Sequence, residues 1–273
     1  MSEMEFFLNN ARNCLRLFLR NANASSVFVP FELCTIVANS IRLENLQVKF
    51  YHIDNNFTPI LNTKSLSSND FLLYPNYFGV CEKQATTLAE NFPNFIYDAT
   101  QSFFSQPKGI ATIYSLRKFF PIPDGGILCT NLPIKNIDAL KPETFNPQLN
   151  SYDVWNFNYT EFLKNELKFN RTNEIKTISP QSLELFKSIN SLNERDLREK
   201  NYKILHNFFK AKNKIPLPET THAMVYPLLC PENENIAKKL QNEGVFLQKY
   251  NYLPHILPLP LTCDAKKLLE KLI

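Results

Sequence analysis

The sequence predicts an α/β fold: a mostly parallel sheet sandwiched by helices, followed by a small C-terminal α+β unit. Three observations predict it. Short β-rich runs at 27–30, 48–53, 71–74 and 95–98 begin 21, 23 and 24 residues apart, which leaves room for one crossover helix each time. These runs are apolar nearly throughout, as strands covered on both faces are. The segments between them carry helical periodicity. Ala11, Leu15, Phe18 and Leu19 share one face of 11–20, and Leu33, Ile36, Val37 and Ile41 share one face of 32–43.

The remaining elements follow in order. A third, weaker helix spans 83–92, and two further strands at 111–115 and 126–130 flank a proline-bearing turn at 121–126. Around 132–150 the pattern dissolves into Pro, Asn and Lys, then turns polar and aromatic through 173. Ser179 followed by Pro180 is a helix cap with proline in the first turn. That helix carries Leu183, Phe186, Ile189 and Leu192, and a second helical run carries Leu197, Tyr202, Leu205 and Phe208. The tail predicts strands at 224–229 and 245–248 and helices at 236–243 and 265–272. The chain accordingly divides into a large α/β domain (1–145), a linker or lid (146–177), and an interdomain helix with a small C-terminal domain (178–273).

Composition narrows the class. With 44% hydrophobic and 21% charged residues over 273 positions, the chain reads as a soluble globular protein. No apolar run approaches the roughly 20 residues of a membrane-spanning helix, and the acidic start around Glu3 and Glu5 is unlike a secretory leader. The net charge of +4 is diffuse, which disfavours nucleic-acid and membrane partners. Six cysteines without C-x-x-C spacing fit reduced thiols in a cytoplasm, and with four scattered histidines they suggest no metal site. Four of the five glycines fall between 79 and 126. Glycine is kept where the backbone needs special dihedrals or close approach, so this stretch is where function is expected.

Within it lies the chemistry. Asp98 closes an apolar strand; seventeen residues later Ser115 closes another, and Lys118 follows three residues on, flanked by Tyr114, Phe119, Phe120 and Pro121. Ligands of parallel α/β sheets gather beyond the carboxyl ends of the strands, so these groups converge there. A lysine, an aspartate and a serine match what pyridoxal 5′-phosphate demands: an amine to bond the aldehyde, a carboxylate to keep the pyridine nitrogen protonated, and a hydroxyl for the phosphate. Singly, a lysine is most often a solvated charge and a strand-end aspartate a turn residue. A lysine among aromatics is costly to bury without a role, however, and desolvation would lower its pKa and aid attack.

Ser115-x-x-Lys118, with Asp98-Ala99-x-Gln101 upstream and Asp124-Gly125-Gly126 downstream, resembles the fold-type I pyridoxal phosphate enzymes, and within them the DegT/DnrJ/StrS group of nucleotide-sugar aminotransferases, as a short, divergent member. Residues 10–15, 29–34, 75–79 and 178–202 resemble further stretches of that group. The resemblance implies that Lys118 carries the cofactor and moves the proton, that Asp98 pairs with the ring nitrogen, and that Ser115 with the amides of Arg12 and Asn13 holds the phosphate. The Arg12 side chain either helps or is a solvated helix arginine. Asn76 and Gln101 are placed near the ring, although strand-end amides also serve loop backbone. Cys34 stands where the resemblance puts a ring-stacking aromatic. It further implies an amino donor such as glutamate, a keto acceptor on a nucleotide-linked sugar, and a homodimer with shared sites. A lyase or decarboxylase on the same scaffold, or a non-catalytic paralogue, are the alternatives. Trp155, Tyr152, Phe157 and Tyr159 either stack on a base or pack beneath a lid. Arg171, Arg195 and Arg198 either meet an anion or, for at least two of them, form a solvated helix face.

Overall fold

A computed structural model describes residues 4–62, 66–146, 164, 167 and 173–272. Tyr152, Trp155, Phe157, Tyr159 and Arg171 lie outside the described residues.

Eight strands form one sheet: β1 (Met4–Leu8), β2 (Ser26–Pro30), β3 (Gln47–Ile53), β4 (Pro59–Ile60), β5 (Asp70–Pro75), β6 (Phe95–Asp98), β7 (Ala111–Ser115) and β8 (Gly126–Thr130), in the order β1-β8-β7-β6-β5-β2-β3-β4. The central five, β3-β2-β5-β6-β7, are parallel. β8 returns antiparallel to β7, with Gly126 opposite Ser115. β1 then pairs antiparallel with β8, and β4 with β3. The edge strand β1 was not expected, because a short strand paired on one side only carries little apolar pattern of its own. The chain moves outward from β2 to β3, then resumes on the other side at β5 and proceeds to β7. That reversal opens a crevice beyond the strand ends, where open α/β sheets bind ligands.

Alternation along the strands divides the core. Val27, Val29, Phe71, Leu73, Ile96 and Ile113 face α1 (Ala11–Asn21) and α2 (Thr35–Arg42). Leu72, Tyr74, Phe95 and Tyr97 face the other way, toward α3 (Glu82–Asn91) and α4 (Pro180–Ser188). All six positions of β5 are buried, as a central strand covered on both faces requires. α2 begins at Thr35, three residues later than expected. Glu32 instead ties the loop to β3, accepting from Ile53 N and pairing with His52 at 2.8 Å.

At the start of β5, Asp70 accepts from the Ser26 hydroxyl, from Ser67 N at 2.8 Å and from Lys49 Nζ at 3.3 Å. The Ser26 bond first, then Ser67 and Lys49, hold its carboxyl at about 2, below the ordinary 3.8. A folded-state pKa below the unfolded one stabilises the fold above that ordinary value, and the contribution fades as pH falls toward the folded value. Asp70→Asn therefore lowers the melting temperature most at neutral pH, and its gap to wild type closes between about pH 4 and pH 2 in a pH series of thermal melts.

Beyond α4 comes α5 (Ser191–Phe209), then a two-stranded ribbon of β9 (Val225–Leu228) and β10 (Leu257–Pro260), with α6 (Asn233–Asn242) and α7 (Ala265–Glu270). Tyr202, Leu205, Tyr226, Leu240, Leu259 and Leu268 form its core. Ile189 caps α4, and Leu192 belongs to α5. The strand expected at 245–248 is absent: Val245 and Leu247 point inward in strand-like alternation but have no partner strand. β10 takes that place, and its prolines, with Pro227 opposite Pro258, are tolerated because both strands of a ribbon are edges.

This C-terminal part is nested against the strand end of β5. Phe78 and Gly79 both have left-handed backbones, φ 58° and 83°. Phe78 O accepts from Met224 N at 2.9 Å and Gly79 O from the Thr221 hydroxyl at 2.9 Å. A Cβ on Gly79 would sit 2.5 Å from Gln101 O and 2.9 Å from Ala223 Cα, so the position has no room for one.

Candidate active site

The carboxyl ends of β6 and β7 bring Asp98, Ser115 and Lys118 together. Beyond β7 a single 3₁₀ turn (Leu116–Lys118) carries the lysine back over the end of β6. Its Nζ donates to Thr100 Oγ1 at 3.1 Å, and Thr100 N in turn donates to Asp98 Oδ1 at 3.0 Å. Lys118 is open to solvent through a cleft although protein surrounds its amine. Burial pushes the ammonium pKa below the ordinary lysine value, with Asp98 and Cys34 opposing that shift. Of the flanking aromatics expected around the amine, Phe120 borders the larger of two cavities at Lys118, while Tyr114 and Phe119 line neither. Phe119 and Phe120 turn into the core against Phe103 at 5.9 and 4.8 Å, and Tyr114 donates to Ser105 O.

Two adjoining cavities meet at the lysine. The smaller, about 210 Å³, is lined by Asn10, Ala11, Arg12, Cys34, Asp98, Thr100, Ser115 and Lys118 among others. The larger, about 1050 Å³, shares Cys34, Ser115, Arg117 and Lys118 and opens past Phe31, Arg42 and Tyr252. α1 starts at the smaller cavity because Gly126, beside Ser115 on the next strand, carries no side chain. A Cβ there would lie 2.7 Å from both Ala11 N and Asn10 C. The first turn of a helix presents N–H groups without intrahelical acceptors, a natural seat for an anion.

The sequence-predicted residues therefore separate into two sets. Lys118, Asp98, Ser115, Arg12 and Cys34 line the smaller cavity. Asn13, Asn76 and Gln101 do not line either cavity, and each is held by bonds inside the protein. Asn13 N donates to Asn10 Oδ1 at 2.9 Å, and its side-chain amide donates to Asn9 Oδ1 and Glu174 O. Asn76 donates to Tyr97 Oη at 2.7 Å and to Glu82, and accepts from Cys81 N. Gln101 Oε1 accepts from Phe78 N at 2.9 Å, supporting that left-handed residue. Arg195 pairs with its neighbour Asp196 and is partly exposed. Arg198 is almost fully buried: it donates to Glu194 at 2.7 Å and Met224 O at 2.7 Å, and lies 4.7 Å from the Phe119 ring centroid.

Three contributors had no role assigned from the sequence, although Asp124 belongs to the Asp124-Gly125-Gly126 run that carries part of the resemblance. Thr100, the unassigned residue between Asp98 and Gln101, receives the lysine amine. Asp124 clamps the turn after Lys118 to α4, accepting from Ser179 N, Ser179 Oγ and Ser182 Oγ at 2.9, 2.7 and 3.1 Å. Burial raises its pKa against those bonds. The third is Tyr252, which arrives from the distant C-terminal part.

The donor set fits pyridoxal phosphate. Ser115 is 8% exposed, no described residue takes its hydroxyl as a hydrogen-bond partner, and it borders both cavities beside the α1 first turn. A buried serine hydroxyl beside a helix first turn, an amine of lowered pKa and a carboxylate thus surround one small cavity.

No family model and no curated protein matches the sequence. Solved structures do match the fold. A DegT DnrJ EryC1 StrS aminotransferase from Brucella abortus superposes with a TM-score of 0.64 at 15% identity, over 98% of this chain and 84% of that one. PseC from Helicobacter pylori, an aminotransferase involved in pseudoaminic acid biosynthesis, gives 0.59 at 14% identity over 98% and 84%. NtdA from Bacillus subtilis, with bound cofactor PMP, gives 0.62 at 14% identity over 98% and 72%. The chain has the fold of the fold-type I pyridoxal phosphate aminotransferases.

Proposed function

We propose that this chain is a pyridoxal 5′-phosphate-dependent aminotransferase that moves an amino group from an amino acid such as glutamate to a keto group on a nucleotide-linked sugar. One observation carries the reading: a lysine amine of lowered pKa, tied through Thr100 to a buried aspartate and beside the first turn of α1, at the crevice of this fold. The sugar acceptor is supported by the printed roles of the fold neighbours, such as pseudoaminic acid biosynthesis for PseC.

Ser115, the α1 first turn and Arg12 would hold the phosphate, and Asp98 would hold a proton on the pyridine nitrogen. When bound, the cofactor supplies a cationic ring that accepts the electron pair released as a substrate Cα–H bond breaks. Lys118, its pKa lowered by burial, would be the amine that holds the cofactor aldehyde and, when free, the base that takes up and returns the substrate Cα proton. Thr100 holds the amine in place between these tasks. Asn76 and Gln101 serve the site by fixing the ends of β5 and β6. Residues 1–145 would carry the cofactor, with 178–273 completing the cleft. The protein works in the cytoplasm as a homodimer.

The test is spectral. Protein loaded with pyridoxal phosphate is titrated with glutamate, and the visible band of the aldehyde form is expected to give way to the ultraviolet band of the amine form. A visible band that glutamate leaves unchanged would overturn the aminotransferase reading.

A further inference from the structure

The turn at 250–253 reaches out of the C-terminal part and over the cleft. It is closed by Leu253 N donating to Tyr250 O at 3.0 Å. Its base is fixed: the Tyr250 ring stands edge-on to Phe78 at 5.3 Å, and Phe78 is the left-handed residue that Gln101 supports. Its tip carries Tyr252, packed edge-on to Tyr250 at 5.5 Å, and Tyr252 lines the larger cavity together with Cys34, Ser115 and Lys118. Burial raises the phenol pKa above the ordinary tyrosine value, Cys34 and Asp98 raise it further, and the Gln101 side chain opposes them. The Gln101 side chain that supports Phe78 is thus also a neighbour of the phenol. Tyr252 and Cys34 line the same cavity, and Cys34 is too small a side chain to fill it.

We propose that Tyr252 is the contact of the C-terminal part with the cofactor, its ring closing the pocket on the side where Cys34 leaves room. The inference rests on the pyridoxal phosphate reading above. An aromatic face against a flat heterocycle adds to binding beyond the area it buries. The contact also makes cofactor binding immobilise the turn, because a ligand that touches a segment only when that segment is in place shifts its population.

The test compares wild type with Tyr252→Phe, Tyr252→Leu and Tyr252→Ala. Binding of pyridoxal phosphate to each is followed by absorbance, and hydrogen exchange of residues 245–256 is measured with and without it. Tyr252→Phe is expected to bind within about twofold of wild type, since it keeps the ring, while leucine and alanine weaken binding about tenfold. Cofactor is expected to slow exchange of 245–256 in wild type and in the phenylalanine variant, and not in the alanine variant. The wild-type exchange measurement stands even if a variant fails to fold. Wild type that takes up the cofactor covalently, yet shows unchanged exchange at 245–256 or the same affinity in the leucine variant, overturns this inference alone. Wild type that fails to take up the cofactor at all overturns the parent reading, and this one with it.

Discussion

Lys118→Ala abolishes covalent capture of pyridoxal phosphate: borohydride treatment leaves no cofactor on the peptide containing position 118, and amino transfer falls by about 10²–10⁴, the range for removing a positioned proton-transfer group. Wild type is expected to yield one modified peptide by mass spectrometry. Lys118→Arg does not rescue either property, because a guanidinium stays protonated and cannot attack a carbonyl. The amine's lowered pKa also sets a pH profile. Attack requires the uncharged form, so capture speeds up as pH rises and levels off below the ordinary lysine value of 10.5. A plateau only above that value would show the amine to be solvated. Retained capture in the alanine variant would move the chemistry to another lysine.

Gly126→Ala has the second large effect. The new methyl group meets Ala11 N and Asn10 C at 2.7 Å and Ala11 Cα at 3.0 Å, all backbone atoms, so the strand or the start of α1 must move. Overpacking of this kind costs about 1–3 kcal/mol, readable as a lower denaturation midpoint. The displacement also draws the first turn of α1 away from Ser115, which faces Gly126 across the sheet. Affinity for pyridoxal phosphate, and for inorganic phosphate as the simpler probe, is therefore expected to fall about tenfold or more. Unchanged phosphate affinity would place the anion seat elsewhere.

Both predictions concern residues that were legible before the fold was known, for a physical reason. Strand ends in a parallel sheet fall on one side, so an aspartate and a serine closing two apolar runs, with a lysine one turn later, must be neighbours whatever the loops do. Gly126 was legible because glycine is scarce in this chain and clusters here. The amides were not legible in the same way. Asn13, Asn76 and Gln101 stand where cofactor ligands were expected, yet an amide that suits a ligand suits a cap or a loop N–H equally well, and here the protein supplied the nearer partner. Tyr252 was hidden by separation along the chain: no local pattern ties it to Asp98, and the turn that carries it runs beside a segment whose strand-like alternation found no partner. β1 escaped for the related reason that its pairing, and not its own pattern, makes it a strand.

The nesting of residues 78–79 against 221–224 bears on how such a chain can be recombined. Gly79 leaves no space for a methyl group between Gln101 O and Ala223 Cα, and hydrogen bonds cross the same seam from Met224 and Thr221. The seam is therefore a lock whose two halves lie far apart in sequence. A chimaera that borrows the C-terminal third of another protein has to import both halves together, the aromatic–glycine pair after β5 along with the segment leading into β9. Grafted with only one of them, the foreign portion would meet main chain where it needs a gap, and crossover libraries should lose every recombinant that separates the two.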